Sequence, residues 1–224
     1  QADVDNAEFV DHLYGFEFAH QLYTKAQSDY SGRVTVPILW DKQTQTIVNN
    51  ESSEIIRIFN SAFNDLTGNT EDFYPHALQN EIDEVNDRVY HTINNGVYKC
   101  GFATTQGAYE EAYEELFASL DWLEQKLASQ SFLVGEQITE ADWRLFTTLV
   151  RFDSVYVGHF KTNKKRIVDY PNLWRLLRQL YQQSGIAETV KLDQIKQHYY
   201  FSHTMINPTQ VVPVGPEIDF WQPL

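Results

Sequence analysis

The sequence predicts an α+β protein in which a short strand-and-helix segment is followed by a longer all-helical segment. Apolar residues alternate with other residues between positions 34 and 40, which is the two-residue period of a strand. From residue 74 onward, apolar residues recur three and four positions apart, which is the period of a helix. With 224 residues the chain is long enough for two domains, which we expect at residues 1–66 and 67–224.

The first segment is predicted to contain a helix, a strand hairpin and a second helix. The helix-like stretch covers residues 16–26, and the two strands cover residues 34–40 and 46–48. Residues 49–52, Asn-Asn-Glu-Ser, provide a helix start before the amphipathic run at residues 55–63. Because two short strands and one helix bury too little apolar surface to be stable alone, we expect further strands before this segment.

The second segment is predicted to contain five helices and a proline-containing tail. The first of these helices is predicted to end at Gly96, because glycine readily adopts the left-handed conformation that closes a helix. The third begins with a capping box formed by Thr139 and Asp142, and the fourth begins at Pro171, a favourable residue at the first helical position. The apolar stripes of the five helices cover residues 82–93, 109–127, 145–156, 173–180 and 192–199.

The composition of the chain argues against several classes of function. Seventeen Lys and Arg residues against 31 Asp and Glu residues give a net charge of −14, which repels nucleic acid. No apolar run approaches the roughly 20 residues of a membrane-spanning helix, so we expect no membrane partner. The single cysteine, Cys100, excludes an internal disulfide and fits a reducing, cytoplasmic location. The seven histidines lack the spacing of a metal site, and we expect no metal.

Five separate motifs give the chain a resemblance to a known family. They are Arg-Val-Thr-Val-Pro at 33–37, Asn-Asn-Glu-Ser at 49–52, Asn-Gly-Val-Tyr-Lys at 95–99, Ser-Val-Tyr at 154–156 and His-Tyr-Tyr at 198–200. Together they resemble the glutathionyl-hydroquinone reductases, which are the Xi class of the glutathione transferase superfamily. The resemblance implies a glutathione transferase fold, in which the first domain is part of a thioredoxin-like domain and the second is all-α with an extended tail.

The resemblance implies a glutathione site in the first segment. A helix start offers free N–H groups and a positive dipole end to the γ-glutamyl carboxylate, and Glu51 suits the ammonium group. The alternative for Glu51 and Ser52 is an ordinary helix cap. In this family Pro37 would be cis, which would turn the backbone of Val36 toward the cysteinyl part of glutathione. The glutathione-binding residues would be Arg33, Val34, Thr35, Val36, Glu51 and Ser52.

The resemblance also implies three catalytic tyrosine hydroxyls in the second segment. Tyr98 would act as proton donor and acceptor, and Tyr156 and Tyr199 would stabilise a cysteine thiolate. The apolar periodicity independently turns Tyr156 and Tyr199 inward. The alternative is that all three tyrosines are core residues with satisfied hydroxyl groups.

The implied activity is the glutathione-dependent reduction of glutathionyl-hydroquinones to hydroquinones through a cysteine mixed disulfide. Glutathione would be the co-substrate, a glutathionylated hydroquinone the substrate, and the protein a homodimer. The family's Cys-Pro-Trp-Ala motif has no counterpart here, so we expect the nucleophile upstream of Gln1 and an inactive isolated chain. This expectation agrees with Met205 being the only methionine. An Omega-like thiol transferase and a non-catalytic scaffold are the alternatives.

Overall fold

A computed structural model describes residues 10–224 of the chain. The chain divides into two compact units, of which the N-terminal unit ends at Asp72 and the C-terminal unit begins at Phe73. The boundary expected from sequence, between residues 66 and 67, falls inside a short helix of the N-terminal unit.

The N-terminal unit contains a two-stranded hairpin followed by a helix, which confirms that part of the sequence prediction. The strands are antiparallel, with Trp40 opposite Ile47. The hairpin's second strand leads within three residues into a helix whose buried residue is Ile55. The elements of the unit are α1 (His20–Ala26), β1 (Leu39–Asp41), β2 (Thr46–Asn49), α2 (Ser52–Ser61) and α3 (Asn64–Thr67).

The predicted strand over residues 34–40 is wrong for most of its length. Only β1 is strand, and Val36 is 75% exposed, with no strand of the described chain paired to residues 34–38. A strand needs a partner for its backbone groups, and Pro37 has no N–H to offer. Instead, the backbone of Thr35 pairs with the side chain of Tyr23 on α1. The Val36–Pro37 peptide bond is cis, as the resemblance implies.

The C-terminal unit is helical throughout its regular structure and holds a continuous apolar core. The apolar stripes that the sequence predicts are buried, for example Leu116, Leu145 and Leu177 on three different helices. Two π-helical turns, Tyr90–Asn94 and Phe152–Tyr156, interrupt the α-helical register. The α-helices are α4 (Gln79–Val89), α5 (Gly96–Phe102), α6 (Gln106–Lys126), α7 (Glu140–Arg151), α8 (Val157–His159), α9 (Pro171–Tyr181) and α10 (Leu192–Ser202).

The predicted helix end at Gly96 is wrong, because the chain continues as helix through this point. The π-helical turn Tyr90–Asn94 connects α4 to α5, and Gly96 does not have a positive φ. Gly96 is instead buried beside α6, where an added Cβ would lie 3.7 Å from the Cβ of Leu116. The apolar stripe also continues beyond it through Val97 and Cys100, so core packing favours helix over termination.

The other helix boundaries of this unit follow the sequence signals closely. Thr139 and Asp142 form the predicted capping box at the start of α7, and α9 begins at Pro171. After α10, the tail returns to the core, where the buried Phe220 stacks on Tyr181 at a ring distance of 4.6 Å. Among residues 10–224, no helix is both long enough and apolar enough to cross a membrane.

Candidate functional site

Three tyrosines from separate helical segments of the C-terminal unit converge through their hydroxyl groups. The Tyr199 hydroxyl lies 2.6 Å from the Tyr98 hydroxyl and 2.9 Å from the Tyr156 hydroxyl. Tyr98 is on α5, Tyr156 ends a π-helical turn, and Tyr199 is on α10. Tyr199 therefore joins the other two into a chain of three hydrogen-bonded hydroxyls, which we call the tyrosine chain.

The tyrosine chain runs from the protein interior to the surface of its unit. The side chains of Tyr156 and Tyr199 are buried, whereas Tyr98 is 38% exposed. Burial raises the pKa of Tyr156 and of Tyr199 well above the usual value for a phenol. Both phenols are protonated at neutral pH, as any phenol with an ordinary or raised pKa is, so each hydroxyl can donate one hydrogen bond along the tyrosine chain.

The two π-helical turns help to orient these tyrosines. A π-helical turn adds one residue to the helical register and rotates the side chains that follow it, and such turns are frequent at functional sites. One turn, Phe152–Tyr156, contains Tyr156, and the other, Tyr90–Asn94, ends four residues before Tyr98. Neither π-helical turn can be predicted from the 3.6-residue period of an uninterrupted α-helix.

The rings of the tyrosine chain pack around Phe160, which is completely buried. The centroid of the Phe160 ring lies 5.4 Å from the ring centroids of both Tyr98 and Tyr156 and 5.9 Å from that of Tyr199. Gly101 on α5 gives Phe160 its space, because an added Cβ at Gly101 would lie 2.1 Å from the Phe160 ring. The position of the hydroxyls is thus linked to the packing of one phenylalanine.

The two residues at the start of α2 that are expected to bind glutathione, Glu51 and Ser52, lie at an exposed helix N-terminus. Glu51 is the N-cap residue, and its carboxylate accepts hydrogen bonds from the Ser53 backbone N–H at 3.2 Å and the Ser53 hydroxyl at 3.1 Å. Ser52 is the first helical residue and is exposed. The Glu51 N–H donates to the Asn49 side chain at 2.7 Å. The capping role considered from sequence therefore exists, and it leaves the Ser52 hydroxyl at the surface.

The expected binding segment, Arg33 to Val36, is exposed and is held in place by Tyr23. The Tyr23 hydroxyl donates to the Thr35 carbonyl at 2.7 Å and accepts from the Thr35 N–H at 3.2 Å. The Asn50 amide, just before α2, donates to the same Tyr23 hydroxyl at 3.1 Å. Tyr23 thereby links the binding segment to the start of α2. This role of Tyr23 cannot be predicted from the sequence, because a single inward tyrosine on a short helix carries no distinguishing spacing.

Cys100 lacks the properties of a nucleophile. It is buried in the core of the C-terminal unit, and burial raises the pKa of its thiol to about 11. A reactive cysteine needs an accessible thiolate, which this environment disfavours. Within residues 10–224, no group of three or more His, Cys, Asp or Glu side chains is arranged to hold a metal ion.

Comparisons with known proteins agree with this architecture. Residues 106–179 match the family model of the glutathione S-transferase C-terminal domain. The chain is 58% identical to the glutathionyl-hydroquinone reductase YqjG of Escherichia coli and 57% identical to PcpF of Sphingobium chlorophenolicum, over 95% and 92% of its length. It is 48% identical over 96% of its length to the glutathione S-transferase omega-like 2 protein of Schizosaccharomyces pombe, of which it covers 71%.

Solved structures give the same result at the level of the fold. The glutathione-bound structure of YqjG superimposes with a TM-score of 0.94 at 57% identity, covering 96% of this chain and 70% of that one. Glutathione transferase Xi 1 from Trametes versicolor superimposes with a TM-score of 0.89 at 56% identity, covering 92% of this chain and 73% of that one. The chain therefore belongs to the glutathione transferase family and, within it, to the Xi class. It spans 65% of the length of YqjG and 66% of that of PcpF.

Proposed function

We propose that the protein reduces glutathionyl-hydroquinones to hydroquinones, with glutathione as co-substrate. The observation that carries the proposal is the tyrosine chain, in which two buried phenols connect to the exposed Tyr98. The names of the relatives with 58% and 57% identity, both glutathionyl-hydroquinone reductases, support the same activity. A non-catalytic scaffold would have no need for three converging hydroxyls.

The proposed reaction first breaks a carbon–sulfur bond and then exchanges a thiol with the mixed disulfide that results. A cysteine thiolate attacks the glutathionyl sulfur, the bonding electrons pass to the ring carbon, and Tyr98 supplies a proton to that carbon. A second glutathione thiolate then attacks the mixed disulfide, which releases oxidised glutathione and restores the cysteine thiolate. The balance is one glutathionyl-hydroquinone and one glutathione converted to one hydroquinone and one oxidised glutathione. No metal is needed for these steps.

The nucleophile in this proposal is a cysteine outside these 224 residues. Cys100 is the one cysteine of the sequence, and its burial and raised pKa make it unsuitable. Within the chain, Tyr156 and Tyr199 donate hydrogen bonds that stabilise the thiolate form. Glutathione is bound by the backbone of Arg33 to Val36 and by the N-terminus of α2, where Ser52 meets the γ-glutamyl carboxylate and Glu51 its ammonium group.

The direct test is an assay of the complete enzyme with a glutathionyl-hydroquinone and glutathione, following hydroquinone release. We expect Tyr98→Phe to slow this release by about 10²- to 10⁴-fold, the range typical of general acid catalysis. Tyr199→Phe should instead raise the pKa of the nucleophilic cysteine and move its alkylation profile to higher pH. If both variants lose stability and activity together, with the alkylation profile unchanged, the tyrosines are core residues and the proposal fails.

An Omega-like thiol transferase is the second candidate, supported by the name of the 48% identical yeast relative. The two activities differ in the bond that is cleaved. A thiol transferase exchanges sulfur–sulfur bonds and needs no proton delivery to carbon, so Tyr98→Phe would leave it nearly unchanged. Comparing kcat/KM for a glutathionyl-hydroquinone and for a small glutathione disulfide, in wild type and Tyr98→Phe, separates the candidates.

We also propose that the protein is a cytoplasmic homodimer. The resemblance to the Xi class supports the dimer, and the single, buried cysteine fits a reducing compartment. Sedimentation equilibrium of the complete protein measures the oligomeric state, and fractionation of the source cells measures the location.

A further inference from the structure

Two histidines form a hydrogen bond alongside the tyrosine chain. The Nε2 atom of His159 lies 3.1 Å from the Nδ1 atom of His203. His159 ends α8, and His203 is the residue directly after α10. His159 is buried, and His203 is half-buried. Because the rings share this short contact, one nitrogen donates its proton and the other accepts.

The histidine pair repeats the geometry of the tyrosine pair one helical turn further along. His159 follows Tyr156 by three residues, and His203 follows Tyr199 by four residues. The Tyr156–Tyr199 contact of 2.9 Å and the His159–His203 contact of 3.1 Å therefore connect the same two helical segments at successive turns. Together with the weaker hydrogen bond from the Tyr200 hydroxyl to the Val155 carbonyl, at 3.4 Å, these two connections restrict the rotation of α10 relative to its neighbour.

Aromatic packing seats the histidine pair against the rings of the site. The His203 ring meets the Tyr199 ring edge-on at 5.5 Å and the Phe102 ring at 5.2 Å. Both imidazoles stack on Phe160, the ring around which the tyrosines pack, at 6.0 Å for His203 and 5.2 Å for His159. A shift of either histidine is thus transmitted to the tyrosine chain by direct contact.

We propose that His159 and His203 are positioning residues that hold the Tyr199 hydroxyl between those of Tyr98 and Tyr156. The pair acts on the reaction through Tyr199 and does not touch the substrate. This inference rests on the proposed function only where it is tested by enzyme activity. Amide hydrogen exchange tests the positioning role independently of the reaction.

The pair requires that its two rings not both be protonated. Two imidazolium groups would direct N–H against N–H and lose the bond. Burial lowers the pKa of His159 to about 4, and it also lowers the pKa of His203. The charged or titratable groups that act on the pair are Lys161, His198, Tyr199 and Tyr200.

Substitutions can separate the hydrogen bond from the ring packing. His203→Phe and His159→Phe keep an aromatic ring and remove the nitrogens. His203→Asn and His159→Gln place an amide near Nδ1 and Nε2 respectively, so they can restore the hydrogen bond. The matched control is His76→Phe, the same change at an exposed histidine.

In the complete enzyme we expect each Phe variant to lower kcat by about tenfold, with the KM for glutathione nearly unchanged, since misplacement of a catalytic group slows chemistry. The double variant should be no worse than the single ones, because both remove one interaction. His203→Asn should recover most of kcat. A uniform loss of activity and stability without recovery by Asn would overturn the proposal.

Amide hydrogen exchange supplies the readout that does not depend on catalysis. We expect faster exchange in His203→Phe at the last turn of α10, where the His203 N–H is bonded to the Tyr199 carbonyl at 3.4 Å. His203→Asn should restore slow exchange, and His76→Phe should leave it unchanged. If exchange responds in this way while wild type lacks reductase activity, the proposed function fails and the positioning role stands. Unchanged exchange and unchanged kcat in His203→Phe would refute the positioning role.

Discussion

At the scale of single residues, the proposed glutathione contacts of Ser52 and Glu51 can be distinguished by mutation from the helix cap that Glu51 provides. Both variants, Ser52→Ala and Glu51→Ala, should weaken glutathione binding by about 1 to 3 kcal/mol, because each leaves a charged group of the ligand unpaired. Only Glu51→Ala should also destabilise the protein, by about 0.5 to 2 kcal/mol, since Glu51 caps α2. Calorimetric titration measures the first effect, and amide hydrogen exchange of α2 measures the second.

The control for that pair is Ser61→Ala, an exposed serine at the other end of α2. It should change neither quantity. Glutathione titrations that are the same for wild type, Ser52→Ala and Glu51→Ala would reduce this helix start to an ordinary cap.

Tyr23 holds the Thr35 part of the expected binding segment, while the Tyr30 hydroxyl donates to the Arg33 carbonyl at 2.6 Å. Tyr23→Phe removes the hydroxyl that contacts both backbone groups of Thr35 and the Asn50 amide. We expect a loss of about 0.5 to 1.5 kcal/mol in stability, because Thr35 and Asn50 are exposed and can exchange the lost hydrogen bonds for bonds to water, and we also expect weaker glutathione binding. Tyr90→Phe, at a 45% exposed tyrosine, is the control. Unaltered glutathione affinity in Tyr23→Phe would show that the segment is held by other contacts.

The sequence predicts the burial of some site residues but not the contacts between them, because its signals are local. Tyr156 and Tyr199 extend helical apolar stripes, so their burial follows from local periodicity. The hydrogen bond between Tyr98 and Tyr199 joins positions 101 residues apart, and that between His159 and His203 joins positions 44 apart. No spacing rule connects such positions, and they become visible only once the helices are packed.

At the scale of elements, helices are predicted well because their signals lie within a few residues of each other. The capping box of α7 and Pro171 at the start of α9 are such local signals. The predictions of a strand over residues 34–40 and of a helix end at Gly96 are wrong because these features depend on contacts with residues distant in sequence. A strand depends on a distant partner, and Gly96 is set by contact with α6 and not by its own conformational freedom.

Gly101 on α5 allows a specific prediction about how α5 packs against Phe160. A Cβ at this position would overlap the buried ring of Phe160, so Gly101→Ala should destabilise the protein by about 1 to 3 kcal/mol. Because Phe160 packs on the tyrosine chain, the variant should also lower kcat. Gly107→Ala on α6 is the matched control, since its Cβ would meet nothing within 4 Å and helical Ala is favoured over Gly. Equal thermal stabilities of the two variants would contradict this packing argument.

At the scale of the whole molecule, the two units differ in how much core they contain. Of the buried apolar residues in the described chain, only Tyr23 and Ile55 belong to the N-terminal unit. All the others lie in the C-terminal unit, where they form one connected cluster. Burial of apolar area is the main source of stability, so global unfolding should report chiefly on the C-terminal unit.

The pH dependence of global stability follows from the buried histidine of that unit. His159 has its pKa lowered to about 4 in the folded protein, whereas an unfolded histidine has a value of about 6.5. Between these values the unfolded state binds more protons, so the free energy of unfolding falls as the pH falls, by up to about 1.4 kcal/mol per pH unit. The lowered pKa of His203 acts in the same direction. Asp142 and Asp153, whose pKa values are raised by burial, act in the opposite direction.

Comparison with His159→Phe isolates the histidine contribution, because the two aspartates are common to both proteins. Denaturation at several pH values from 7 to 4.5 gives the difference in unfolding free energy between wild type and variant. We expect this difference to shrink as the pH falls, since only wild type loses stability by protonation of His159. A constant difference between wild type and His159→Phe would mean that His159 is not held neutral by burial, and the hydrogen bond between the two imidazoles would lose its electrostatic basis.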